Sequence, residues 1–167
     1  MADSAEAAAA PRVPWLLTAA IVLADQAAKH LAAAHLKPSG YIPVIPGLFG
    51  LCYVENPGAA WGMLAGRQVF LIAFSAAVFA VFLWKWRQMF GGLRGGHLIL
   101  AALSGGILGN LIDRIRLGYV IDFLDFHWRR SHFPAFNVAD SAICCSVIAL
   151  IIMQWIGERD AGKKQTD

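Results

Sequence analysis

Four long apolar runs organise this chain, separated by stretches of very different character. They cover Pro14 to Leu36, Gln68 to Trp86, His97 to Ile115 and Phe136 to Ile156. A helix needs roughly 20 apolar residues to cross a bilayer's hydrocarbon core, so each run predicts a membrane span. The connection from Lys37 to Gly66 contains Pro38, Pro43, Pro46 and Pro57. Within it, Tyr41–Ile45 and Leu48–Val54 are β-prone, and Pro46-Gly47 between them signals a turn. The connection from Arg116 to Pro134 is aromatic, with Tyr119, Phe123, Phe126, Trp128 and Phe133. Such rings, beside Arg129 and Arg130, suit a belt at headgroup level. The pattern predicts an all-α membrane protein of four transmembrane helices with a small extracytoplasmic β-sheet and loop region.

Composition agrees with that pattern. Hydrophobic residues make up 58% of the chain and charged residues only 15%, where a soluble domain carries about 25% charged. The mean hydropathy is +0.56. A net charge of +3 suits anionic lipid headgroups, and no nucleic-acid signature accompanies it. The first run is too long for the apolar region of a cleavable signal peptide and lacks its flanking signals, so all four spans are expected to remain. Residues 1–13 read as a disordered tail, 14–157 as one membrane domain and 158–167 as a second tail. An even number of spans puts both termini on one side, with the short connection that carries Lys85, Arg87 and Arg94. The positive-inside rule makes that side cytoplasmic. Both long connections then face outward.

Several chemistries fit poorly. His30 and His35, and His127 and His132, lack the H-E-x-x-H spacing of a zinc protease. No G-x-S-x-G nucleophile elbow, phosphate loop or dinucleotide fingerprint is present. Cys52, Cys144 and Cys145 give no disulfide framework. Cys144 and Cys145 read as small packing residues inside a span, and Cys52 has no histidine close in sequence.

The polar residues of the spans carry the functional signal. Asp25 and Lys29 stand at i and i+4, on one helix face, where they can pair. Gly105 and Gly109 form a small-x3-small pair that admits a neighbouring helix. Asn110, Asp113 and Arg114 follow, and their plain reading is a buried network at a helix end. Asn137, Asp140, Ser141 and Cys144 form one polar stripe. Asp122 is flanked by Val120, Ile121 and Phe123. Carboxylates at the edge of a membrane are costly unless they pair, reach water or work.

Asp122 follows the third span and Asp140 opens the fourth, so one connection can bring them face to face. Two adjoining carboxyls that share a proton supply an acid and a base to one water. Asp140 is expected to hold the charge more often, because a helix N-terminus favours an anion. Asp125 is a nearby competitor. No metal or other cofactor is implied.

Five motifs taken together resemble the lipoprotein signal peptidases, or signal peptidase II. They are Asp25-Gln26-x2-Lys29, Asn56-Pro57-Gly58-Ala59-Ala60-Trp61, Gly109-Asn110-x2-Asp113-Arg114, Gly118-Tyr119-Val120-Ile121-Asp122-Phe123 and Phe136-Asn137-x-Ala139-Asp140-Ser141. The resemblance implies a bacterial inner-membrane aspartic protease with four spans. It also implies diacylglyceryl-modified prolipoproteins as substrates, cut just before the lipid-bearing cysteine. Under it, Asp122 and Asp140 are the catalytic dyad. Asn56, Gly58, Asn110, Arg114, Asn137 and Ala139 line the substrate site, and Asp25, Lys29 and Asp113 support it. Membrane lipids and globomycin-type cyclic peptides are the implied partners. Pro57, Trp61 and Tyr119 depart from the residues usual in that family (Thr, Phe and His).

Two other classes remain to be weighed. A small proton-coupled transporter component would place polar stripes from several spans together at mid-bilayer. A membrane scaffold would carry aspartates with no function at all.

Overall fold

A computed structural model describes residues 12–59, 62–91, 93, 95–129 and 131–163. Most of the N-terminal tail, together with Trp61, Arg94, Arg130 and Lys164, lies outside the described residues. Four helices are long and apolar enough to cross a membrane. They are α1 (Trp15–Ser39), α2 (Gln68–Phe90), α3 (Gly96–Leu117) and α4 (Val138–Lys163). Four strands, β1 (Ile42–Ile45), β2 (Phe49–Asn56), β3 (Val120–Trp128) and β4 (Ser131–His132), join in the order β1-β2-β3-β4.

α3 is the hub of the bundle. Buried residues make up 56% of its most apolar window, against 6% in α2 and 11% in α4. Glycines explain the difference, because a side chain at these positions would strike a neighbour. A Cβ on Gly105 would lie 2.8 Å from the Ile21 side chain of α1, and one on Gly106 would lie 2.5 Å from the Ala139 carbonyl of α4. Small residues let helices approach where lipid offers no hydrophobic drive to associate. The expected Gly105–Gly109 pair is therefore one edge of a wider face, with Gly106 admitting α4. On the other flank, Phe90, Leu100, Leu103 and Ile107 pack α2 against α3. Outward faces remain apolar: Leu16, Leu23, Val69, Trp84, Ile151 and Trp155 are all exposed, as lipid contact requires.

The two long connections meet in one antiparallel sheet, so they lie on the same side of the bundle. Gly47, at φ 78°, turns β1 into β2, where Pro46-Gly47 predicts it. β2 then pairs with β3, setting Val54 opposite Asp122 and Asn56 opposite Val120. The expected aromatic loop is thus largely a strand. Phe123 is buried with Ala32, Leu36 and Ile121 and takes no part in an aromatic belt, whereas Phe126, Trp128 and Phe133 are exposed.

The fourth helix also begins later than expected, at Val138. Phe136 is used otherwise, since its carbonyl accepts from Phe123 N at 3.0 Å and Leu124 N at 2.8 Å. That clip ties the lead-in of α4 to β3. Cys144 and Cys145 are exposed on α4, so they do not fill an interhelical core.

Candidate active site

The site is assembled from one strand end, two helix ends and a buried ion cluster beneath them. Lys29 Nζ, 2% exposed, sits 2.8 Å from Asp25 and 2.9 Å from Asp113. It also donates to Asn110 Oδ1 at 2.9 Å. Pairing within α1 is therefore only half of its role, since the lysine also joins α1 to α3. A buried cation is tolerable only when paired and hydrogen-bonded, and three partners meet that condition.

Each acid of the cluster then fixes a backbone element. Asp25 accepts the Ala139 N–H of α4 at 2.9 Å. Asp113 accepts the Ile121 N–H of β3 at 3.2 Å. Gln26, quoted in the sequence motif but given no role there, donates to Asp113 at 2.9 Å and to the Gly109 carbonyl at 3.2 Å. Asp122 and Asp140 are thereby each held one residue from an anchored N–H.

Asn137 connects the two acids. Its side-chain amide donates to Asp122 Oδ1 at 2.7 Å, and its backbone N–H donates to Asp140 Oδ2 at 3.2 Å. Its Oδ1 accepts the Asp140 N–H at 2.9 Å, a reciprocal cap on the first turn of α4. Ser141 contributes by donating its hydroxyl to the Asn137 carbonyl at 2.9 Å. Asn110 donates to Asp140 Oδ1 at 2.7 Å, and Asn56 donates to Asp122 Oδ2 at 3.0 Å. Asn56 also accepts the Gly58 N–H at 3.0 Å, and the Gly58 carbonyl accepts from Arg114 at 3.1 Å.

Asp122 and Asp140 both border a cavity of about 920 Å³. Its roof is Val54, Asn56, Pro57 and the Phe133–Phe136 arm, and its walls are Leu71, Phe74 and Val78 of α2 and Ile143 and Cys144 of α4. Burial pushes the Asp122 carboxyl up to about 6, and the Asp140 charge adds to that, while Asn56 and Asn137 pull it down.

All nine polar and small residues picked out from the sequence converge here, at different depths. Asn56, Asn110 and Arg114 border the cavity. Asn137 and Ala139 are fully buried and stand behind the carboxylates. Gly58 is buried too, and a Cβ there would lie 2.5 Å from the Met63 carbonyl. Asp125, the competitor, turns away from the site toward His127 at 3.2 Å and His132 at 2.9 Å. Cys52 borders a different hollow, where burial pushes its thiol up to about 11 and so disfavours a thiolate. The Phe133–Phe136 arm had no recognisable signal in the sequence beyond its aromatic rings.

Four spanning helices under a small sheet, with two carboxylates facing one deep apolar cavity, define a multi-pass membrane protein built like an enzyme. Its relatives give the class. The chain matches Signal peptidase (SPase) II over residues 17–156. It is 46% identical over 149 residues to a lipoprotein signal peptidase of Syntrophotalea carbinolica, covering 86% of this chain and 91% of that protein. A lipoprotein signal peptidase of Geobacter metallireducens is 41% identical over 155 residues, covering 91% of this chain and 96% of that one. A solved bacterial membrane enzyme superposes with a TM-score of 0.77 at 30% identity, covering 86% of this chain and 87% of its own. The chain belongs to the signal peptidase II family and is a membrane peptidase.

Proposed function

We propose that the chain is an aspartic endopeptidase that removes the signal peptide from diacylglyceryl-modified prolipoproteins, cutting just before the lipidated cysteine. The observation that carries this reading is the joint tethering of Asp122 and Asp140 to Asn137 at the wall of one cavity. Asp122, pushed up to about 6, carries the shared proton. Asp140, in the first turn of α4, has the helix N-terminus to favour its charge.

In this mechanism Asp140 takes a proton from a water whose oxygen attacks the scissile carbonyl carbon, while Asp122 protonates the carbonyl oxygen. The resulting gem-diol collapses as the C–N bond breaks: the departing nitrogen takes the proton held by Asp140, and one gem-diol hydroxyl returns its proton to Asp122. No covalent enzyme intermediate forms. Asn56 holds one oxygen of Asp122 and Asn110 one of Asp140, and Asn137 and Ala139 set their positions.

The cavity supports a lipid-modified substrate. α2 and α4 are both packed on α3, and apolar residues of α2 and α4 face each other across the cavity. Acyl chains and an apolar signal segment can remain in that gap while the peptide bond reaches the carboxylates. A cyclic peptide of the globomycin type would compete for the same groove. In this reading the protein lies in a bacterial inner membrane with cytoplasmic termini and its dyad near the outer face.

Family membership favours an enzyme over a transporter. So does geometry, because Asp25, Lys29 and Asp113 meet at the level of the first turn of α4, through the Ala139 N–H. The test is to incubate purified protein with a diacylglyceryl-prolipoprotein and its unlipidated form and to weigh the products. Cleavage of the lipidated form alone, with cysteine at the new N-terminus, supports the proposal. Equal cleavage of both, or a cut elsewhere, contradicts it.

A further inference from the structure

Further along β3 from Asp122, where β4 joins it, three side chains converge on a task that the peptidase reaction does not use. His127 and His132 occupy directly paired positions of β3 and β4. Opposite residues of an antiparallel pair have Cβ atoms about 4.5–5.5 Å apart. Their imidazoles are accordingly stacked, with centroids 4.9 Å apart and planes at 19°. Both turn Nδ1 toward the same carboxylate: Asp125 lies 3.2 Å from His127 Nδ1 and 2.9 Å from His132 Nδ1. One ligand atom from each of the three lies within 4.8 Å of the others.

We propose that Asp125, His127 and His132 bind a divalent transition-metal cation of the Zn²⁺ type. Two imidazole nitrogens and one carboxylate oxygen are a donor set that Zn²⁺ takes readily, with metal–ligand distances of about 2.0–2.2 Å. Neighbouring ligands of a tetrahedral ion at that radius stand roughly 3.3 Å apart, close to the two nitrogen–oxygen distances here. The cation takes one Nδ1 lone pair from each imidazole, in its Nε2–H tautomer, and one oxygen of Asp125.

The surroundings suit such an ion. Asp125 and His127 are nearly buried, at 8% and 9% exposed, while His132 at 54% leaves an approach from solvent. A hollow of about 440 Å³ bordered by Tyr41, Cys52, Asp125 and His132 gives room for a water as fourth ligand. The Tyr41 hydroxyl, 3.3 Å from the same His127 Nδ1, gives up that contact when the ion takes the nitrogen's lone pair. Cation binding staples β4 to β3, and β4 leads directly into the Phe133–Phe136 arm over the active-site cavity.

The test uses tag-free full-length protein in detergent, titrated with ZnCl₂ by calorimetry and with CoCl₂ by visible absorption. The expected result is one ion per chain and a rise in melting temperature with Zn²⁺. His132→Gln, an exposed and structurally mild change, should weaken binding at least tenfold and abolish the thermal shift, and His127→Ala should do the same. Asp122→Asn and Asp140→Asn should leave binding intact. The proposal is overturned if the wild type takes up no ion, if binding survives His132→Gln unchanged, or if it disappears in the dyad variants.

Discussion

Asn137 donates its side-chain amide to Asp122 at 2.7 Å, and the same residue caps Asp140 through its backbone and side chain. One asparagine therefore sets the spacing of two acids that come from different elements. Asn137→Ala should lower kcat by about 10²–10³-fold, the usual cost of losing one preorganised donor in a site. KM should change little, because Asn137 is buried behind the acids. Steady-state kinetics on a lipidated substrate separates the two parameters.

Lys29 should matter for folding more than for turnover chemistry. Lys29→Met leaves Asp25 and Asp113 buried and facing each other without their shared cation. Removing one partner of a buried ion pair costs about 3–5 kcal/mol. The variant is expected to show a lower melting temperature in detergent and less folded protein in the membrane fraction. Asp25 and Asp113 position α4 and β3, so residual folded enzyme should also turn over slowly.

Gly106 tests the helix packing that carries Asp140. A methyl group there would lie 2.5 Å from the Ala139 carbonyl and 2.7 Å from the Ile143 side chain. Overpacking of this kind costs about 1–3 kcal/mol. Gly106→Ala should therefore push α4 away from α3 and reduce cleavage, while Gly157→Ala, with open space around it, should be neutral in both melting and activity assays.

The pH profile follows from Asp122, whose carboxyl is pushed up to about 6 chiefly by burial. A dyad that works with one proton loses it as pH rises, so kcat/KM should fall on an alkaline limb governed by that group. The Asn56 amide favours the charged form. Asn56→Ala should then move the limb to higher pH. For stability the sign is the same: the folded carboxyl holds its proton above the unfolded value of about 3.9, so stability falls as pH rises toward about 6. Asp122→Asn should raise the melting temperature at pH 7 relative to wild type, and the gain should shrink below pH 4.

The spans and the polar motifs were legible because lipid imposes a simple rule, a long apolar run with every exception conspicuous. Asp122 stood out for its apolar neighbours, and Asp25 with Lys29 for their helical spacing. β3 was not legible. Its first four residues are buried on both faces, so no alternation marked it, and its partner β2 lies more than sixty residues away in sequence. The clip of Phe136 onto Phe123 and Leu124 was hidden for the same reason, and it moved the start of α4. Lys29 pairing with Asp113 required the α1–α3 contact that only the glycine face of α3 permits. Pairings across distant segments are what a local pattern omits.

The central claim is that Asp122 and Asp140 together activate water. The most direct test is single-turnover cleavage of a diacylglyceryl-prolipoprotein by wild type, Asp122→Asn and Asp140→Asn, each first shown to be folded by its melting transition. The account predicts rapid cleavage by wild type and a loss of at least about 10³-fold in each variant. Substantial cleavage surviving in either folded variant would contradict it.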